Sequence, residues 1–266
     1  LRDRPTGVLE TLLIQRHSKS KFAAADYVFA GGKVEADDVP PDAERFCAGL
    51  TAARAAARLG GLDPRAALGY WIGAIREAFE EVGMLLAYDA AGSPVRIDAT
   101  HRARFAGYRA ACQVSNAAFF DMLRAERLTL ATDQLAYFAH WITPEEQPIR
   151  FDTRFFVAQA PDGQEGAHDA AETEHHVWIG PQAAHERGER GEIELVPATQ
   201  HTLRDMGRFA ASHLAFEFAP DQPEIRRQRD IPAACVLEPR LHRRRLHHQR
   251  DRRVDVANRG VEPQSD

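Results

Sequence analysis

The chain has 266 residues, 44% of them hydrophobic, enough for one large domain or two small ones. No apolar run is long enough to cross a bilayer, and none reads as a signal peptide. The net charge is −5. The 11 Arg and 8 acidic residues from Pro220 onward contribute +3, so the rest of the chain carries −8. A net-negative body argues against nucleic-acid binding as the main role. Cys47, Cys112 and Cys235 are isolated and fit neither a zinc spacing nor a disulfide framework, so a reducing cytoplasm is the default. Gln264-Ser265-Asp266 is not a peroxisomal address.

The chain opens on Leu1 rather than methionine, and Leu1-Arg2-Asp3 reads as the end of a truncated first strand. Val8 to Arg16 is β-rich and partly alternating, a strand. Tyr27 to Ala30 reads as a short strand into Gly31-Gly32. Pro40-Pro41 then breaks the chain, and Asp42 caps an Ala-rich helix over Ala43–Leu59 that Gly60-Gly61 ends. Pro64 opens a helix over Arg65–Val82, with Gly83 at its C′ position. Gly92-Ser93-Pro94 marks a turn. Two helices follow, His101–Cys112 and Asn116–Glu126, the second capped by Ser115. Tyr137–Ile142 and Arg150–Gln159 read as strands, Pro161–Ala170 as a polar loop and Thr173–Ile179 as a strand. Pro181 opens a helix, and Thr199–Phe209 is the last one. Beyond Pro220 neither hydrophobic period persists, and Leu237–Arg253 is dense in Arg and His. Residues 220–266 therefore read as a poorly ordered tail behind a domain of residues 1–219.

The helix ending at Gly83 carries the chemistry. Stepping about 100° per residue from Leu68 puts Leu68, Trp71, Ile72, Ile75, Phe79 and Val82 on one face. Glu77, Glu80 and Glu81 fall on the opposite side. Glu77 meets like charges at i+3 and i+4, and Glu80 and Glu81 crowd the end of the helix where the macrodipole disfavours anions. A bound divalent cation would offset all three penalties, and hard oxygen donors suit Mg²⁺. A Glu-rich face is more often merely solvated. Such faces, however, commonly pair Glu with Lys or Arg at i+4, and here those positions hold Glu81, Met84 and Leu85.

Upstream, Phe29-Ala30-Gly31-Gly32-Lys33-Val34-Glu35-Ala36-Asp37-Asp38 joins two glycines to an acidic loop. Glycine allows positive φ and close backbone approach. Taken together, the two segments resemble the halves of the Nudix box, G-x5-E-x7-R-E-U-x-E-E-x-G-U. Gly32 matches the first glycine, and Arg76, Glu77, Glu80, Glu81, Gly83 and Met84 match the second half, with Ala78 at the aliphatic position. Asp38 stands in place of glutamate. The spacer before Arg76 runs for 37 residues, Val39 to Ile75, rather than seven, as if the box were split by an insertion over about residues 39–70. A split box resembles the branch of Nudix hydrolases that includes the peroxisomal coenzyme A diphosphatase. Phe138-Ala139-His140-Trp141-Ile142-Thr143-Pro144 and Arg150-Phe151-Asp152-Thr153-Arg154-Phe155-Phe156 are further matches to that branch, and Ala30 departs from its usual proline.

The resemblance implies an α+β Nudix fold, a mixed β-sheet packed between helices, with a helical insertion inside the box. It implies a metal-dependent diphosphatase using Mg²⁺ or Mn²⁺, with Glu77, Glu80, Glu81 and Glu35 as metal ligands. Arg76 would orient a carboxylate, with Asp38 its candidate partner. Glu77, Glu81 and the downstream Glu174, beside Glu172, are the candidates for the base. Gly31, Gly32, Lys33 and Arg16 would meet the substrate phosphates. By resemblance the favoured substrate is coenzyme A or an acyl derivative, with ADP-ribose and dinucleotides as rivals. A catalytically silent nucleotide-binding module on the same fold is the alternative of a different class. No membrane partner is expected. His140 reads as a satisfied core histidine, His175-His176 lacks a metal-ligand period, and Trp71, Phe151, Phe155 and Phe156 read as core.

Overall fold

In the computed structural model the described residues are 1–16, 25–147, 149–164, 173–217, 219 and 225–227. Their elements run in order β1 (Arg2–Asp3), β2 (Leu9–Arg16), β3 (Tyr27–Val28), α1 (Ala52–Arg58), α2 (Pro64–Val82), β4 (Ala87–Tyr88), α3 (Arg102–Cys112), α4 (Ala117–Glu126), β5 (Thr129–Leu130), β6 (Ala136–Ile142), β7 (Asp152–Val157), β8 (Thr173–Ile179), α5 (Pro181–Glu189), α6 (Pro197–Met206), α7 (Ser212–Glu217) and β9 (Ile225–Arg227).

β8 runs antiparallel along β2, with Leu12 opposite Trp178 and Ile14 opposite His176, while β1 and β3 pair with the two ends of β2. A second sheet, β7–β6–β9, is mixed: β7 is antiparallel to β6 and β9 parallel to it. β4 and β5 form a small third pair. Alternation along β2 turns Leu13 toward Ala184 of α5 and Leu203 of α6, and Ile14 toward Val82 and Met84 at the end of α2. On β6 Tyr137 meets Trp71 of α2, and Phe138, facing the other way, packs against Phe209, just beyond α6. Both sheets thus lie between α2 and the α5–α6 pair. The largest core cluster joins α1, α2, α3 and α4 around Trp71, Ile72, Ile75, Phe79 and Phe119.

The split between Asp38 and Arg76 is filled by a 3₁₀ turn at Ala43–Phe46, helix α1 and the first part of α2, with α1 packed on α2. Asp63 caps α2 by accepting from Ala66 N, Pro64 takes its first turn, and Gly83 closes it at φ 69°. The single helix expected over Ala43–Leu59 does not form. Ala48 N donates to Leu130 O at 2.9 Å, Thr132 Oγ1 donates to Ala48 O at 2.6 Å, and Gly49 sits at φ 64°. Pairing with β5 therefore overrides helix propensity, and the helix restarts under a Thr51 cap that Asp42 does not supply. Nor does Ser115 cap α4 through its side chain; the N-cap is Asn116. β3 stops at Val28, β7 is trimmed to Asp152–Val157, and α6 spans Pro197–Met206. β9 lies beyond the boundary expected at residue 219; the remainder of the 220–266 tail lies outside the described residues. Phe151, expected in the core, is 40% exposed.

Candidate active site

A stripe of small residues on α2 receives the acidic loop. A methyl group at Gly69 would sit 2.9 Å from Val34 Cγ1 and 3.3 Å from Val39 Cγ1. At Gly73 it would meet Val34 Cγ2 at 3.5 Å and Asp38 Oδ2 at 3.6 Å. One turn further on, a methyl group at Gly32 would press on the Glu77 carboxylate, 2.6 Å from its Cδ and 2.8 Å from Oε2. Loop and helix therefore run antiparallel in close contact. Neither Gly31 nor Gly32 adopts a positive φ, so Gly32 serves close approach rather than a left-handed bend.

Ionic contacts lock the contact at Asp38, which is fully buried. Arg76, 3% exposed, donates from Nε to Asp38 Oδ1 at 2.6 Å and from Nη2 to Asp38 Oδ2 at 3.2 Å. Nη2 also reaches Lys33 O at 3.0 Å, and Glu35 N donates to Asp38 Oδ2 at 2.8 Å. The guanidinium therefore ties the loop to α2 through both a carboxylate and a backbone carbonyl, a planar two-pronged task that suits arginine. Its Nη1 faces Glu77 Oε1 at 2.9 Å and Glu80 Oε2 at 3.3 Å. Burial works against the Arg76 charge, but Asp38, Glu77 and Glu80 outweigh it and hold its pKa above the ordinary value. Glu81 turns the other way and accepts from Gly31 N at 2.7 Å. Burial, helped by the neighbouring Glu80, pushes the Glu77 carboxyl up to about 7 despite Arg76.

The three helix glutamates and Gly31, Gly32 and Asp38 are thus brought into one place, although Asp38 and Arg76 are 38 positions apart in the sequence. As the side chains stand, no three carboxylate, imidazole or thiol groups among the described residues converge closely enough to hold an ion. Glu77 and Glu80 lean on Arg76 while Glu81 faces Gly31. The donor set nevertheless fits a hard divalent cation. Glu77 and Glu80 share Nη1 of a guanidinium whose Nε and Nη2 are already taken by Asp38, so three carboxylates lean on one cation and the surplus is negative, hard-oxygen charge. Glu35 is exposed, and among the described residues it joins no group of three acids close enough to hold an ion. Lys33 is exposed beside them, and Arg16 ends β2 half-buried, its backbone N–H on Asp26 O at 3.0 Å. Glu174 lies in β8, where the register slips between Gln15 and Arg16; its side chain, like Glu172 as a whole, lies outside the described residues.

Sequence reasoning passed over Gly69 and Gly73, although a Gly-x3-Gly step inside an otherwise apolar helix is a signal for close packing. It also passed over Arg109 of α3, which donates to Glu80 O at 2.7 Å and Glu81 O at 2.8 Å and so caps the end of the acidic helix. Gln164 clamps the segment that follows, bonding Leu85 N, Leu85 O and Val95 O from a buried position. No pattern in the sequence announces that last role. His140 is a buried histidine with its Nε2 on Asp152 Oδ1 at 2.6 Å.

Comparison with known proteins agrees with this architecture. The chain is similar to the acyl-coenzyme A diphosphatase NUDT19 of Gallus gallus, 28% identical over 250 residues, covering 80% of this chain and 65% of that protein. It is also similar to the acyl-coenzyme A diphosphatase NUDT19 of Xenopus laevis, 26% identical over 262 residues, with 88% and 69% covered. The chain thus spans about two thirds of the length of these relatives. The crystal structure of a NUDIX hydrolase from Alicyclobacillus acidocaldarius superposes with a TM-score of 0.64 at 24% identity, covering 84% of this chain and 94% of that one, which shows the α+β Nudix fold. The family model of the NUDT19 Nudix domain matches residues 5–206, three quarters of the sequence. The chain belongs to the NUDT19 Nudix domain family and, through it, to the Nudix class of hydrolases.

Proposed function

We propose that this chain hydrolyses the diphosphate bond of a nucleoside diphosphate derivative, with coenzyme A or an acyl-coenzyme A as the substrate. The observation that carries the reading is the junction of loop and helix, with Gly32 against Glu77, Gly31 N–H on Glu81 and Asp38 on Arg76. It unites the two halves of the box despite the insertion. The names of the relatives support the choice of substrate. Glu77, Glu80 and Glu81, with Glu35 at the rim, would hold divalent ions, Mg²⁺ first and Mn²⁺ next. Such ions supply charge neutralisation on the diphosphate and a more acidic bound water.

The residues of the chain do the rest. Arg76 and Asp38 position the loop, so that backbone N–H groups and Lys33 face the phosphates. Gly31 N–H fixes the rotamer of Glu81. Glu77, Glu81 and Glu174 are the groups able to take the proton of the attacking water. The Asp38 substitution does not abolish the arginine–carboxylate pair, which supports an active enzyme over a silent binding module. No helix among the described residues is long and apolar enough to cross a membrane. The cytoplasm is the proposed compartment; Cys47 and Cys112 are free thiols, both pushed up to about 12 by burial and so unreactive.

The test is a panel of coenzyme A, acyl-coenzyme A, ADP-ribose and NADH with Mg²⁺ and product analysis. Release of 3′,5′-ADP and phosphopantetheine, lost in Glu80→Gln and Glu81→Gln, is the expected result. Turnover of ADP-ribose alone would move the substrate assignment within the same chemistry. Nucleotide binding without turnover in the parent and both variants would leave a binding module.

A further inference from the structure

We propose that Asp152, held by His140 and Arg154 beside Tyr70, reads the uncharged arm of the substrate through its hydroxyl and amide N–H groups, and so sets specificity from outside the acid cluster. The inference rests on the diphosphate lying at Glu77.

Tyr70 and Glu77 are seven residues apart on α2. Seven steps of about 100° come within about 20° of two full turns, and the rise is about 10 Å. The Tyr70 ring and the Glu77 carboxylate therefore leave the helix on the same side. Ala74 lies between them, and all three are only partly covered. The loop bounds one flank of this face where Val34 lies on Gly69 and Gly73. On the other flank β7 brings the Arg154 guanidinium over the Tyr70 ring, 4.3 Å from its centroid.

The group presented there is a half-exposed carboxylate with one oxygen already used. Asp152 Oδ1 takes both His140 Nε2 at 2.6 Å and Arg154 Nη1 at 2.9 Å, and its side chain is 52% exposed. Oδ2 has no donor among the described residues. The side chains that hold it are 7% and 5% exposed, so Asp152 is an anchored acceptor rather than a free surface acid. Arg154 is its counterion, and Arg154 Nε is buried without a hydrogen-bond partner.

An anchored anionic acceptor beside Tyr70 selects what lies along α2 about two helical turns from Glu77. It repels phosphate, so the nucleotide half of coenzyme A, which carries a third phosphate on its ribose, is the wrong occupant. It accepts from O–H and N–H groups, and the pantetheine half of coenzyme A is uncharged and carries a hydroxyl and two amide N–H groups.

The experiment compares coenzyme A with the methyl ester of 3′-phospho-ADP, which keeps the diphosphate and nucleotide and lacks the arm. For Asp152→Asn the expected result is a KM for coenzyme A raised tenfold or more, kcat within threefold of the parent, and an unchanged KM for the methyl ester. Arg154→Lys, which loosens the clamp while keeping the charge, should show the same pattern more weakly. Equal KM changes for both substrates, or none for either, overturns the proposal. Matched unfolding midpoints separate loss of recognition from loss of fold. Failure of the parent to cleave either compound would instead strike the function proposed above, not the role of Asp152 alone.

Discussion

Two adjacent glycines should behave in opposite ways. Gly31 has no heavy atom within 4 Å of where a methyl group would go, whereas a methyl group at Gly32 would sit 2.6 Å from Glu77 Cδ. Neither residue has a positive φ, so alanine brings no backbone strain at either site and slightly restricts the unfolded chain. In Gly32→Ala the clash falls on the free end of a glutamate, which can swing away. Restoring ordinary contact needs a shift of about 1 Å, at a cost of about 1–2 kcal/mol in lost contact with Arg76 and a poorer rotamer. That lowers the unfolding temperature by a few degrees in a domain of this size. The effect on turnover is larger, because a displacement of about 1 Å at a reacting centre can cost about 100-fold. The assay is steady-state hydrolysis of coenzyme A with Mg²⁺, beside thermal melts of both variants. Gly31→Ala should stay within about threefold of the parent, since alanine keeps the N–H that Glu81 accepts. Equal losses in the two variants, or full activity in Gly32→Ala, would refute the idea that the Gly32–Glu77 contact sets the site.

Three further outcomes follow from the same geometry. Asp38→Ala leaves Nε of the 3%-exposed Arg76 without its acceptor while Glu77 and Glu80 stay on Nη1, and should destabilise the fold by about 1–3 kcal/mol in urea unfolding, with Asp38→Glu recovering part of the loss. A cost below about 1 kcal/mol would mean that loop and helix are held by something else. Arg109→Ala removes two charge-assisted bonds to the last carbonyls of α2 and should cost about 1–3 kcal/mol, seen as faster hydrogen exchange at residues 80–83 than in α4. His201 is buried and stacked 5.5 Å from Trp141, and burial, with Arg204 next, lowers its pKa. The unfolded chain therefore takes up that proton first as pH falls below about 6.5, and stability drops with it. The fall in unfolding free energy between about pH 7.5 and about pH 5.5 should be smaller in His201→Phe, which keeps the stack; an unchanged fall would place the proton uptake elsewhere.

What could be read from the sequence depended on how local its cause was. The caps of α2 were legible because Asp63, Pro64 and Gly83 act within a turn of themselves. The acidic face was legible from its period alone, yet its surroundings were not. Glu81 is 8% exposed because a loop fifty residues away brings Gly31 N–H to it. The break in the expected Ala43–Leu59 helix was illegible for the same reason, since its cause is Leu130. Gly69 and Gly73 stand between these cases. In a one-dimensional reading they are mild helix penalties, each of roughly 1 kcal/mol. They become intelligible once a second segment must lie on them, because a side chain at Gly69 would collide with Val34, and one at Gly73 would crowd the Asp38 that Arg76 needs. An insertion can therefore separate the halves of this site in sequence at little cost to its geometry. The contact surface of the loop is carried by the helix itself, and the intervening residues need only return the chain to Asp63.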